Sequence, residues 1–231
     1  MRLDISSRLQ AGRLHEALTG QIVDQHYKAG ERLGLGALAE EFAVSLPPLR
    51  AAAARLARDG LVTLSPCGEY FTVTSPPDAA WMEELLSYRL LIETSAVGLI
   101  ARQRPTETLR RMRAAVRADV TGESLTFGAF RMMHDADKEF HAAIVEGTGN
   151  RVTIRAYRDL QPHLHYARLF YSGAARNCRV MNEHGAIVVA VERGEAANAE
   201  QALRAHIEET HAFATAFDPA ALFRQALGQT P

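Results

Sequence analysis

Cysteine is scarce in this chain. Cys67 and Cys178 are the only two among 231 residues. They cannot build a disulfide framework, and they fit a reducing compartment as small buried hydrophobes. A charge imbalance is missing too. The 26 Lys and Arg residues nearly cancel the 27 Asp and Glu residues, for a net charge of −1. That argues against a strongly basic, sequence-blind nucleic-acid binder, while still allowing a local basic patch. Long apolar runs are absent. The longest, such as Ala186 to Val191, are far too short to span a bilayer, so no membrane partner is expected. The first ten residues, MRLDISSRLQ, are charged and contain no apolar h-region, so no secretory signal is expected and the location expected is cytoplasmic. There is no internal repeat and no low-complexity stretch. With 47% hydrophobic and 23% charged residues, the composition is that of an ordinary globular protein and not of a disordered or fibrous one.

A chain of this length suggests a small domain followed by a medium one. Its character changes near Pro76-Pro77, where neither residue can continue a strand ladder. The expected domains are residues 1–75 and 79–217. In the first, Leu9, Leu14, Leu18, Ile22 and Val23 recur at helical spacing and predict a helix over about 7–26. A turn at Lys28-Ala29-Gly30 ends it, and residues 35–42 read as a short second helix. Ser45 is an N-cap candidate for a third helix that runs to Arg58, with Pro47 and Pro48 in its first turn. Residues 61–64 and 70–74 are β-like runs around Ser65-Pro66-Cys67-Gly68-Glu69, which predicts a hairpin. Helix, short helix, helix and hairpin is the order of a winged helix-turn-helix. A helix of about ten residues fits the major groove, and a hairpin tip reaches phosphate or the minor groove. The pattern alone leaves open a small helical domain with no DNA role.

The anchors Lys28-Ala29-Gly30-Glu31-Arg32-Leu33, Leu38-Ala39-Glu40-Glu41-Phe42-Ala43-Val44-Ser45, Pro48-Leu49-Arg50 and Leu56-Ala57-Arg58-Asp59-Gly60-Leu61-Val62 fall in register. On them the segment resembles the GntR family of bacterial regulators, in which a winged helix precedes an effector domain. The resemblance implies DNA contacts from Ser45, Pro48, Arg50, Arg55 and Gly68. There are departures. Leu46 and Gly36 stand where relatives often carry DNA-contacting arginines. An arginine bidentate to guanine is worth roughly 1–3 kcal/mol, so its loss should weaken or change sequence readout. Residues 1–75 hold eight basic and eight acidic side chains, so phosphate attraction is modest unless the basic ones share a face.

From residue 79 onward about six helices are expected, at roughly 79–102, 105–120, 124–147, 150–172, 177–193 and 195–217. Short connections suggest an all-helical antiparallel bundle able to hold a ligand between helices. Seven of nine histidines lie here. Asp137 and His141 are four apart, so both point to one side of a helix, and His134 shares that face. His184 and His206 fall among core-type neighbours. Shared ligation of a metal would satisfy all four groups at once, although spacing alone also fits histidines that are merely hydrogen-bonded or exposed.

Asp137-Lys138-Glu139-Phe140-His141, Gly149-Asn150, Glu183-His184-Gly185-Ala186-Ile187-Val188 and Ala202-Leu203-Arg204-Ala205-His206-Ile207 resemble the effector (FCD) domain of the FadR-like branch of that family. The resemblance implies that Asp137, His141, His184 and His206 hold a divalent metal. Availability favours zinc, and nickel or another transition ion suits the same ligands. It also implies an effector carboxylate near Arg89, Arg168 and His163. Arg89 can equally form an ion pair with Glu93 at i,i+4. The expected function is a ligand-responsive transcription regulator, in repressor polarity. It would bind a pseudo-palindromic operator in double-stranded DNA as a homodimer and sense a small organic acid at a metal-containing cavity. One alternative is a metal-and-acid sensor with degenerate DNA reading that acts through a protein partner. A metal-dependent enzyme is another, but no separate nucleophile or general base stands in a motif context.

Overall fold

The computed structural model describes residues 5–117, 127–167 and 177–216. The chain forms two compact units, Met1–Pro76 and Pro77–Pro231.

The first unit opens with α1 (Ile5–Val23), whose Ala11, Leu14, Leu18 and Ile22 recur at helical spacing and are all buried. This stripe faces α3 (Leu46–Arg58), which buries Leu49, Ala52, Ala53 and Leu56. Between them in chain order comes α2 (Leu35–Glu41), which packs on α3. A partly buried hydrogen bond joins the end of α3 to α1, with His15 Nε2 2.6 Å from Asp59 Oδ2. The hairpin is β2 (Val62–Leu64) and β3 (Tyr70–Val73). Gly68 turns its tip at φ 70, a conformation that favours glycine.

The sheet has a third strand that the sequence did not suggest. Strand β1 (Arg32–Gly34) pairs antiparallel with β3, Leu33 opposite Phe71, and the order is β1-β3-β2. Three residues are too few to display an alternation, and the partner strand lies far along the chain. Ser45 occupies the N-cap of α3 in an extended conformation, yet its side chain makes no capping hydrogen bond. Pro47 and Pro48 have already removed N–H groups that a cap would satisfy.

In the second unit α4 (Ala79–Gln103) starts at Asp78, which accepts from the Trp81 N–H at 2.9 Å. It is followed by α5 (Thr106–Val116), α6 (Phe127–Gly147), α7 (Arg151–Leu160), α8 (Pro162–Ala167), α9 (Asn177–Arg193) and α10 (Ala196–Ala216). The core joins Val97 and Ile100 of α4, Met112 of α5, Phe140 and Ile144 of α6, Ile187 and Val191 of α9, and Leu203 and Ile207 of α10. The single helix expected over 150–172 is broken. Gln161 takes a left-handed φ of 47 and Pro162 begins α8. A residue before proline is pushed out of the helical region, so α7 stops at Leu160. Among the described residues no helix is long and apolar enough to cross a membrane.

Candidate metal centre

Four side chains from three helices converge inside the second unit. On α6, one turn of separation aligns Asp137 with His141. His184 comes from the first half of α9 and His206 from the middle of α10. The three histidines are 0–2% exposed. His206 Nε2 lies 3.2 Å from both His141 Nε2 and His184 Nε2. Asp137 Oδ1 lies 3.4 Å from His184 Nε2 and 3.7 Å from His141 Nε2. One ligand atom from each residue fits within a span of 4.8 Å.

These distances suit a shared cation. Bonds of about 2.0–2.1 Å in a tetrahedron set neighbouring donors roughly 3.3 Å apart. The protons point the same way. His141 Nδ1 donates to Glu93 Oε2 at 2.5 Å, and His206 Nδ1 donates to Glu183 Oε2 at 2.7 Å. With Nδ1 protonated, Nε2 of each ring turns a lone pair toward the centre. Lone pairs 3.2 Å apart repel unless a positive charge lies between them. The His184 ring stacks on Phe140 with centroids 3.9 Å apart, and its Nδ1 is buried with no hydrogen-bond partner among the described residues.

A buried polar shell surrounds the four. Arg89 Nε donates to Glu93 Oε1 at 2.6 Å, and the Tyr157 hydroxyl donates to the same oxygen at 3.0 Å. His163 Nδ1 donates to Asp137 Oδ2 at 2.8 Å, and its Nε2 lies 3.1 Å from the Tyr157 hydroxyl. A chain of polar contacts thus runs from Asp137 through His163, Tyr157 and Glu93 to His141. Burial alone would raise the Glu93 carboxyl, but the Arg89 guanidinium and His141 outweigh it and hold Glu93 well below its ordinary range. Asp137 follows the same balance, with His163 opposing burial. Burial pushes His163 down to about 4 against the pull of Asp137. It also lowers His184, with the nearby His206 adding to it, and lowers His206 against the pull of Glu183. Neutral imidazoles and an ionised carboxylate are the states in which these groups bind metal.

Two expected effector residues are placed otherwise. Arg89 is 1% exposed and its fork is committed to Glu93, so it is an ion-pair member and not a free clamp. His163 is held by Asp137 and braces a ligand candidate. Arg168 lies outside the described residues. His134 Nε2 donates to the His163 carbonyl at 3.1 Å and stays off the centre. The sequence reading missed Tyr157 altogether, and it saw Glu183 only as the neighbour of His184. Glu183 serves His206 on another helix, a pairing that no spacing reveals. A cleft of about 160 Å³ opens beside His163, lined among others by Lys138, Tyr157, Arg158, Gln161 and Leu164.

Of the DNA-contact candidates, Ser45, Arg50 and Arg55 are exposed and Gly68 sits at the hairpin tip. Pro48 differs from them: it is buried on the core-facing side of α3 beside Leu49.

Residues 84–209 match the FCD domain, and residues 10–68 match the bacterial regulatory proteins of the gntR family. The Nta operon transcriptional regulator of Aminobacter aminovorans is 28% identical over 63% of this chain and 67% of that protein. The HTH-type transcriptional repressor NanR of Enterobacter sp. (strain 638) is 28% identical over 88% of this chain and 85% of that protein. Among solved structures, E. coli McbR/YncC aligns with a TM-score of 0.70 at 17% identity, covering 89% of this chain and 97% of that one. At that identity the structural likeness speaks to the fold.

Proposed function

This chain belongs to the GntR family of bacterial regulatory proteins and carries an FCD domain, and from there we propose a repressor controlled by a small organic acid at a metal centre. It is a transcriptional regulator with a DNA-binding winged helix, not an enzyme. The finer reading has a homodimer holding two α3 helices on a pseudo-palindromic operator in the cytoplasm. Arg50 is the base-reading arginine in it, Ser45, Arg55 and Gly68 are backbone contacts, and Asp137, His141, His184 and His206 are the metal ligands.

The convergence of three Nε2 lone pairs and one carboxylate oxygen carries this reading. Zinc is the first choice, and nickel fits the same donors. The ion would act as a Lewis acid toward an effector carboxylate. The protein's own groups do the rest. Glu93 and Glu183 fix the tautomers of His141 and His206, His163 steadies Asp137, and Arg89 neutralises the buried Glu93. With Arg89 so engaged, the acid would be recognised at the metal and not by that guanidinium. An acid that binds one domain arrangement better than the other shifts operator occupancy by that difference in affinity, and no further.

The test is selection of fragments from sheared genomic DNA by the purified, metal-loaded chain, repeated with Arg50→Ala and with Asp137→Ala. The expected result is a palindrome enriched by the wild type and lost with Arg50→Ala. Asp137→Ala should still bind DNA but no longer retain one metal per chain, as read by elemental analysis. Retention of a full metal equivalent by Asp137→Ala would sink the ligand assignment. Failure of every preparation to enrich any sequence would favour a sensor acting through a protein partner.

A further inference from the structure

The outward face of α3 is unusual for a helix that reads DNA. At about 100° per residue, the sides carrying Pro48, Leu49, Ala52, Ala53 and Leu56 turn inward, and all five are buried. The opposite side presents Pro47, Arg50, Ala54 and Arg58, with Leu46 on the flank at the first turn, and all five are exposed. Leu46 is 37% exposed, a large apolar side chain held in water at the first turn. Within the first two turns of that face only Arg50 can donate a hydrogen bond to a base edge. Pro47 and Pro48 lack the N–H groups through which a helix start ordinarily holds a phosphate. The start of α3 is therefore both apolar and poor in donors, while Arg50, Arg55 and Arg58 supply positive charge further along.

The major groove offers an apolar complement to such a surface. Each A·T pair offers the C5-methyl of thymine, and G·C pairs offer no methyl. We infer that Leu46 and Pro47 read thymine methyl groups, so that each half-site carries T·A pairs beside a single guanine addressed by Arg50. This rests on the DNA-binding reading above. At the position where the family resemblance expects a DNA-contacting arginine, Leu46 selects a methyl. The readout is changed in kind and not simply lost.

The experiment selects a half-site from random duplexes with the full-length, metal-loaded protein. Affinity is then measured on that duplex with each thymine replaced in turn by deoxyuridine, which removes only the methyl. Wild type, Leu46→Ala, Leu46→Arg and Arg50→Ala are compared, with circular dichroism confirming that each exposed-site variant is folded. A buried methyl is worth about 0.8 kcal/mol, so wild type should lose about fourfold at each contacted thymine. Leu46→Ala should bind thymine and uracil duplexes equally at one of those positions. Leu46→Arg should select guanine there. Arg50→Ala should lose roughly 5- to 150-fold on the selected site. If wild type selects a half-site yet tolerates uracil at every position, the methyl readout is wrong and the DNA-binding reading survives. If no sequence is selected at any salt concentration, both fall together.

Discussion

The Arg89 guanidinium and the Glu93 carboxylate are both buried, and each is the other's main partner. Removing one charge of a buried pair leaves the other uncompensated, at a cost of about 3–5 kcal/mol. Arg89→Ala is therefore expected to lower the unfolding free energy by about that much with or without an organic acid present, as read by urea denaturation. A clamp that served only the effector would leave the acid-free stability unchanged. Glu93 also accepts from His141 Nδ1. Outer-shell partners of metal-bound histidines are typically worth 10- to 100-fold in affinity. Glu93→Gln should weaken zinc binding by roughly that factor in competition with a chromogenic chelator, and an unchanged affinity would reduce Glu93 to a structural role. The i,i+4 placement of Asp137 and His141 was legible because it is local to one helix. The commitment of Arg89 was not, since the sequence offered a clamp and an ion pair on equal terms and only burial decided between them.

Among the elements, the α7–α8 pair supplies Tyr157 and His163 to the shell around the centre and was the least legible. Pro162 breaks the run, and α8 then sets His163 against Asp137 and Tyr166 near Arg89. Pro162 is the local signal for that break, and it lies inside the single helix expected over 150–172. Helix α7 depends on Asn150, whose side chain accepts from the N–H groups of Val152 at 3.0 Å and Thr153 at 3.2 Å. Asn150→Ala should cost about 1 kcal/mol, measurable as a lower urea midpoint. Where α6 ends, Gly147 lets it approach α5 and α4 closely. A Cβ there would meet Thr108 Oγ1 at 2.6 Å and Ile100 Cγ2 at 3.0 Å. Gly147→Ala should destabilise by about 1–3 kcal/mol, the usual cost of overpacking, and a neutral result would mean that Thr108 can rotate away.

For the whole molecule, the proposed metal and DNA sites belong to separate compact units, Pro77–Pro231 and Met1–Pro76. Metal that binds only the folded second unit stabilises it by about 4 kcal/mol at a thousandfold excess over Kd. In calorimetry of the full chain, a chelator should lower the transition of the second unit and leave that of the first in place. Coupling between the sites is reciprocal. If an acid weakens operator binding by some factor, operator DNA must weaken acid binding by the same factor, which paired titrations will check. Unequal factors would mean that the two titrations do not report one and the same binding equilibrium. Whatever depends on neighbours along the chain could be read from residue order: the succession of helices and hairpin, the change of character at Pro76-Pro77, the shared helix face of Asp137 and His141, and the residue types at the start of α3. The tertiary structure alone decided which lone pairs meet, that Glu183 serves His206, that β1 joins the sheet, and that Pro48 is buried while Leu46 is not. Helical periodicity is written in local spacing. The pairing of groups far apart in sequence is chosen by how whole faces pack, and no residue carries that information singly.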